Sequence, residues 1–87
     1  MDKETKTQII KDYQRSANDV GSCEVQIALM TKRITELTEH MKIHRKDFSS
    51  RRGLIALVNR RRRLLQYLQR EDYERYSTLV KRLGMRH

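Results

Sequence analysis

The chain has no proline, and its 87 residues include only three glycines, Gly21, Gly53 and Gly84. Proline and glycine are the residues that most often interrupt regular secondary structure. Because so few of them are present, the sequence favours long helices joined by short connections. The apolar residues should then be spaced as one face of a helix requires.

From Ser22 onward, apolar residues recur at alternating intervals of three and four, which is that spacing. Ser22 is a suitable N-cap because its hydroxyl can accept a hydrogen bond from the first turn, and Glu24 suits the positive end of the helix dipole. We expect this helix to end at about Ile43. Its apolar positions are Ile27, Met30, Ile34, Leu37 and Met41.

A second long helix is predicted from Ser49 or Ser50 to about Glu71. The segment HRKDF (44–48) forms a short turn between the two long helices, so they should lie antiparallel as a hairpin. The apolar stripe of the second helix consists of Leu54, Leu57, Val58, Leu64, Leu65 and Leu68.

Two shorter helices complete the prediction. One begins after Asp72, a good N-cap, and stops at Gly84; its inward residues are Tyr76, Val80 and Leu83. The other covers residues 3–15 and should be the loosest attached part. The predicted fold class is all-α: a single domain over residues 1–87, in which a long antiparallel hairpin carries a packed C-terminal helix and a mobile N-terminal helix.

The positive charge is concentrated in one segment of the chain. The formal net charge is +9, and residues 50–70 hold seven arginines and no acidic residue. A solvated helix normally mixes charges of both signs, so this pattern indicates a polyanionic partner. The planar guanidinium group suits phosphates and base edges. These arginines are Arg51, Arg52, Arg60, Arg61, Arg62, Arg63 and Arg70.

Cysteine and hydropathy patterns bear on the compartment. Cys23 is the single cysteine, so no intramolecular disulfide can form, which fits a reducing compartment. No apolar run approaches the length of a membrane span, and the N-terminus has no signal-like hydrophobic block. We therefore expect a cytoplasmic protein that does not associate with membranes.

The segment HRKDFSSRRG (44–53) raises the question of a metal or catalytic site. His40 and His44 are four residues apart, with Asp47 nearby, and this spacing can hold zinc. However, Cys23 is a helix-length away and the neighbouring Arg45 and Lys46 would repel a cation. A hydrolase would need a pocket that excludes water, and helix capping explains Asp47, Ser49 and Ser50 without catalysis. We predict no metal, no cofactor and no enzymatic activity.

Two further residues admit two interpretations each. Tyr67 could lie at the rim of the core or contact a ligand with its hydroxyl, since an aromatic ring with a polar tip suits both. Gly53 lies inside a predicted helix, where glycine costs about 1 kcal/mol relative to alanine. It therefore suggests the close approach of another backbone, either a neighbouring helix or a nucleic-acid strand.

Two long segments resemble the bacterial small-subunit ribosomal protein S15 family. They are NDVGSCEVQIALMTKRI (18–34) and LTEHMKIHRKDFSSRRGLIALVNRRRRLLQYLQREDYERYSTLVKRLGMR (37–86). Within them, the patterns HxKDxxSRRGL, RRRxLLxYL and RYxxLxxxLG are long and specific. The resemblance covers nearly the whole chain.

The resemblance implies a four-helix protein that binds small-subunit ribosomal RNA early in assembly of the central domain. It implies contacts with a minor groove, where a G·U pair lies beside a G·C pair, from His40, Asp47 and Ser50. It also implies contacts with a three-way junction from Gly21, Gln26, Arg33, Arg63, Tyr67 and Arg70. The family commonly has Thr where this chain has Val20, so no contact is carried over at that position.

The function predicted from the sequence is a structural RNA-binding protein that stabilises one conformation of a junction. Further phosphate contacts are expected from Arg51, Arg52, Arg60, Arg61 and Arg62. Other small-subunit proteins are expected partners; contact with the large subunit and binding to its own messenger RNA are also implied by the family, and the free chain should be a monomer. The alternatives are a general DNA- or polyanion-binding helical protein and, third, a metallohydrolase.

Overall fold

Four α-helices follow one another in the computed structural model, which describes residues 2–19 and 21–85. They are α1 (Lys3–Tyr13), α2 (Cys23–Ile43), α3 (Phe48–Glu71) and α4 (Tyr73–Leu83). The described residues contain no strand. The predicted all-α class and the four helices are confirmed, whereas Val20 lies outside the described residues.

Each helix begins at a polar side chain that accepts a hydrogen bond from its first turn. Ser22 Oγ accepts from the Val25 backbone N–H at 3.4 Å, and Asp72 Oδ1 accepts from that of Arg75 at 3.2 Å, which confirms both predicted caps. α3 starts one or two residues earlier than predicted because Asp47 is its N-cap. The connecting turn is correspondingly short, at residues 44–47.

Contacts between α2 and α3 show that the two helices are antiparallel, as predicted. Arg61 Nη1 donates to Thr31 Oγ1 at 3.2 Å near the middle of the hairpin. His40, near the end of α2, contacts Asp47 at the start of α3. Ile27 and Leu68 of the predicted stripes are fully buried.

The core lies at one end of the hairpin, where α4 packs on it. Tyr76 and Val80 are buried and Leu83 is half-buried, as expected for inward residues. The carboxylate of Glu24 accepts two hydrogen bonds from the Arg75 guanidinium, both at 2.6 Å, and thereby links α2 to α4. The described buried residues are Val25, Ile27, Ala28, Met30, Leu68, Tyr76, Leu79 and Val80.

The two terminal helices, α1 and α4, both contact this region. Gly84 ends α4 with a φ of 69°, a left-handed conformation in which glycine has no steric penalty. α1 lies against α2 and buries no residue completely. Tyr13 packs against the core, and the Arg82 guanidinium stacks 4.2 Å from its ring. Within the described residues, no helix is both long and apolar enough to cross a membrane.

Replacing Leu68 by alanine should strongly destabilise the protein. Leu68 is 1% exposed, and truncating a buried leucine costs about 2–5 kcal/mol. Urea unfolding followed by circular dichroism measures this loss. The control is Gln69→Ala on the exposed side of the same turn, which should stay within about 0.5 kcal/mol of the wild type. Equal losses for both variants would contradict the placement of the core.

Candidate nucleic-acid interface

The three residues expected at the minor groove meet at the tip of the hairpin. Asp47 Oδ2 accepts a hydrogen bond from Ser50 Oγ at 2.7 Å and lies 2.8 Å from His40 Nε2. Asp47 Oδ1 accepts from the Ser50 backbone N–H at 3.1 Å. One carboxylate therefore caps α3 and holds a hydroxyl and an imidazole beside it. We call these three residues the apex.

The charge of Asp47 follows from these bonds. Hydrogen bonds from Ser50, and then from His40, hold the pKa of the Asp47 carboxyl well below its ordinary value of 3.8. The ionised carboxylate can only accept, so His40 Nε2 is the donor in this pair. Because the folded-state pKa lies below the unfolded value, Asp47 stabilises the fold above pH 3.8, and this contribution disappears as the pH falls through the folded pKa.

The apex is accessible and chemically suited to an RNA groove. The side chains of His40 and Asp47 are 38% and 34% exposed, and the ring of His44 stacks 4.5 Å from that of His40. A carboxylate can accept from a guanine amino group, while a hydroxyl and an imidazole can meet ribose 2′-hydroxyls.

The same contacts bear on the metal and hydrolase alternatives. Ser50 donates to Asp47 instead of to an imidazole, so the nucleophile and base of a hydrolytic site are not paired. Between residues 2 and 85, Val20 excepted, no three His, Cys, Asp or Glu side chains are grouped so that they could hold a metal ion.

The other predicted contacts fall on two helical faces that share one side of the hairpin. Gln26, Arg33 and His40 are seven residues apart, so they align along α2. Residues of α3 advance by about 100° each, which places Gly53, Arg60, Arg63, Tyr67 and Arg70 within about 100° of one another. Arg33 and His40 line the same groove as Ser50 and Arg60, which shows that the two faces adjoin. We call this combined surface the RNA face.

The surroundings of three more residues, Tyr67, Gly53 and Gly21, bear on the expectations for each of them. Tyr67 is 48% exposed, which is compatible with both the rim of the core and a ligand contact, so the ligand contact stays a prediction. A side-chain carbon added at Gly53 would meet no atom within 4 Å. Of the two alternatives for Gly53, the close approach of a neighbouring helix is therefore wrong, and the approach of a nucleic-acid strand stays a prediction. The Gly21 carbonyl accepts from Gln26 Nε2 at 2.6 Å, which joins two predicted junction contacts.

The predicted phosphate-binding arginines point in three directions. Arg52 and Arg60 extend the RNA face, whereas Arg51 and Arg62 lie on the opposite flank of α3. Arg51 also stacks 5.6 Å from the Phe48 ring. Arg61 turns toward α2, where burial lowers the pKa of its guanidinium.

Two structurally important residues were not recognised from the sequence. Asp19 accepts hydrogen bonds from the backbone N–H groups of Arg15, Gly21 and Ser22, and these bonds lower its pKa to about 2. The turn-rich sequence around Asp19 was a usable signal, because Asp favours such local bonds. Lys6 joins the groove on the RNA face, and nothing in the sequence indicated which way α1 would turn it.

Comparison with known proteins identifies a family. The family model for ribosomal protein S15 matches residues 6–86. The small ribosomal subunit proteins uS15 of Carboxydothermus hydrogenoformans and Dictyoglomus thermophilum are each 56% identical to the chain over 84 residues. That alignment covers 97% of this chain and 94% of each relative.

Replacing Ser50 by alanine should raise the pKa of the Asp47 carboxyl toward its ordinary value, because the Ser50 hydroxyl is the largest cause of its lowering. Titration of the Asp47 carboxyl carbon by NMR measures the change. Ser49→Ala is the matched control, since the bonds to Asp47 come from Ser50 and His40. An unchanged midpoint in Ser50→Ala would mean that the apex bonds do not persist in solution.

Proposed function

This chain belongs to the ribosomal protein S15 family, and we propose that it binds a three-way junction and an adjacent minor groove of small-subunit ribosomal RNA. Members of the family are structural components of the small ribosomal subunit, not enzymes. The chain is accordingly an RNA-binding protein of the cytoplasmic ribosome, where its partners are ribosomal RNA and other small-subunit proteins.

The apex carries the proposal for the minor groove. Asp47 holds the Ser50 hydroxyl and the His40 ring within hydrogen-bond distance at the narrow end of the hairpin. The minor groove of RNA is wide and shallow and displays base edges and 2′-hydroxyls. A preformed cluster of acceptors and a hydroxyl can enter it without losing further side-chain freedom. The G·U and G·C pairs would supply guanine amino groups to the carboxylate.

The far end of the RNA face supports the junction contact. Arg63 and Arg70 line a shallow depression with two glutamines, and the exposed Tyr67 lies between them. Gly21 and Gln26 lie at this end because α2 begins where α3 ends. At a rise of about 1.5 Å per residue, Ser50 is about 20 Å from Arg63 and about 30 Å from Arg70 along α3. Two contacts at a fixed spacing select RNA that is already folded into a junction.

Finer parts of the proposal rest on the family resemblance. We propose contact with the large subunit, binding to the protein's own messenger RNA and a monomeric free state. The exposed Ile43 and Phe48 at the hairpin tip, 78% and 60% accessible, leave surface for a large-subunit contact beside the apex. The alternative of a general DNA- or polyanion-binding protein is tested by competition, because duplex DNA lacks 2′-hydroxyls and should compete poorly.

Replacing Ser50 by alanine should weaken binding to a small-subunit RNA fragment that contains the junction and the G·U/G·C groove by about 1–3 kcal/mol. Binding to unstructured RNA of equal length should change little, because only the groove presents the matching edges. Filter binding at fixed salt measures both affinities, and Ser49→Ala serves again as control. Equal weakening on both RNAs would remove Ser50 from specific recognition.

Replacing Arg63 by glutamine should flatten the salt dependence of RNA binding. Each lost phosphate contact reduces the slope of log K against log salt by about 0.7–0.9, and glutamine keeps the helix propensity. The comparison is Arg62→Gln, which removes the same charge from the opposite flank of α3 and should change the slope less. Equal slopes for Arg63→Gln and the wild type would exclude Arg63 from the phosphate contacts.

A further inference from the structure

The carboxylate of Asp19 organises the loop between α1 and α2. Its Oδ2 atom accepts a hydrogen bond from the Arg15 backbone N–H at 2.9 Å. Its Oδ1 atom accepts from the backbone N–H groups of Gly21 at 3.1 Å and of Ser22 at 2.9 Å. Ser22 is the N-cap of α2. One side chain therefore connects the segment that follows α1 to the start of α2.

The peptide group between Gly21 and Ser22 is held from both sides. Its N–H donates to Asp19 Oδ1, and its carbonyl oxygen accepts from Gln26 Nε2 at 2.6 Å. The N–H and C=O of a trans peptide point in opposite directions within one plane, so these two bonds fix the orientation of that plane. Hydrogen bonds in such a chain also polarise one another. Asp19 thereby acts on the Gln26 amide through one backbone group.

This peptide determines which atom Gln26 presents to a ligand. A backbone carbonyl can only accept, so the amide nitrogen of Gln26 faces Gly21. The amide oxygen Oε1 then lies on the other side of the exposed side chain, where it can accept from a 2′-hydroxyl or a base amino group. Without the bond to Gly21, the amide could present either atom.

The surroundings of Gly21 leave room for a ligand beside this peptide. Gly21 is exposed, and a side-chain carbon added there would meet no described atom within 4 Å. Among the described residues, the left-handed φ that favours glycine occurs at Gly84. Neither the φ of Gly21 nor packing within the protein requires a glycine, so the missing side chain allows the close approach of RNA.

We propose that Asp19 is a positioning residue for the junction contact, which orients the Gly21–Ser22 peptide and, through it, the Gln26 amide toward RNA. This inference rests on the proposed RNA-binding function and adds a residue that touches no RNA itself. Hydrogen bonds from Arg15 first, then from Ser22 and Gly21, lower the pKa of Asp19 to about 2. The carboxylate therefore stays ionised at neutral pH, although a negative charge beside RNA repels its phosphates.

Asp19→Ala and Asp12→Ala form a matched pair for the test. Asp12 is an exposed residue of α1, so its replacement removes the same charge and leaves the bonds of the loop in place. Asp19→Asn is the conservative variant, because its one oxygen can still accept from Gly21 and Ser22. Circular dichroism measures the helix content of each variant, and Asp19→Asn decides the outcome if Asp19→Ala does not fold.

The probe is a small-subunit ribosomal RNA fragment that contains the junction and the G·U/G·C groove. Filter binding at fixed salt gives affinities, and hydroxyl-radical footprinting at saturating protein gives the protected sites. On charge alone, both alanine variants should bind at least as tightly as the wild type, and we expect this of Asp12→Ala. Asp19→Ala should instead bind about tenfold more weakly and lose protection at the junction but not at the groove. Asp19→Asn should recover most of the affinity.

A double-mutant cycle tests the route through Gln26. If Asp19 acts by orienting the Gln26 amide, Asp19→Ala should weaken binding less when Gln26 is already alanine. A role in overall stability alone would reduce affinity by the same factor in both backgrounds. An unchanged effect of Asp19→Ala in the Gln26→Ala protein would therefore contradict the inference.

The remaining results separate this inference from the proposed function. If Asp19→Ala matches Asp12→Ala in affinity and footprint, the inference is wrong and the function stands. If Asp19→Ala reduces protection at the groove as much as at the junction, Asp19 supports the whole fold and the inference is again wrong. If the wild type shows no preference for this fragment over a plain RNA duplex of equal length, the proposed function itself fails.

Discussion

The carboxylate of Asp47 is the constraint on which the binding surface depends. It starts α3 by accepting from the Ser50 backbone, and it holds the Ser50 hydroxyl and the His40 ring across the turn. An ionised carboxylate has about four acceptor positions, and the protein uses three of them. One position is left for a donor from outside. A single residue thus joins the two long helices and retains the capacity to bind.

Repulsion among the arginines of α3 lowers the stability of the helix, and packing elsewhere in the fold must offset this loss. Seven arginines between residues 50 and 70 have no acidic neighbour in that segment. Arg60 and Arg63 lie three residues apart, and a pair of like charges at this spacing destabilises a helix by a few tenths of a kcal/mol. Burial of Leu68 and packing of the half-buried Leu64 and Leu65 compensate. The arginines are therefore held in a fixed arrangement on the packed helix. At physiological salt it acts over about 8 Å, so it stabilises contacts more than it steers distant RNA.

Local signals in the sequence predicted most of the fold and the composition of the apex. The caps at Ser22 and Asp72 and the stop at Gly84 each depend on one residue and its nearest neighbours. The start of α3 was less certain because Asp47, Ser49 and Ser50 can all cap a helix.

The sequence could have predicted that Arg61 points toward α2, because Arg61 lies seven residues before Leu68 and shares its face. We treated the run of four arginines as one exposed group and did not separate Arg61 from its neighbours. The direction of Lys6 and the open space at Gly53 depend on how whole helices pack, which local patterns do not encode.

Burial is uneven along the hairpin, and this explains why a polar network is needed at the tip. The described buried residues of α2 lie at positions 25–30, and Leu68 is the buried residue of α3. Toward the turn, Leu37, Met41 and Leu54 are only half-buried. Apolar packing therefore makes the junction end rigid but weakens toward the apex. The spacing between the two RNA contacts can stay fixed only if the Asp47 bonds hold the tip, so recognition and rigidity at that end share the same atoms.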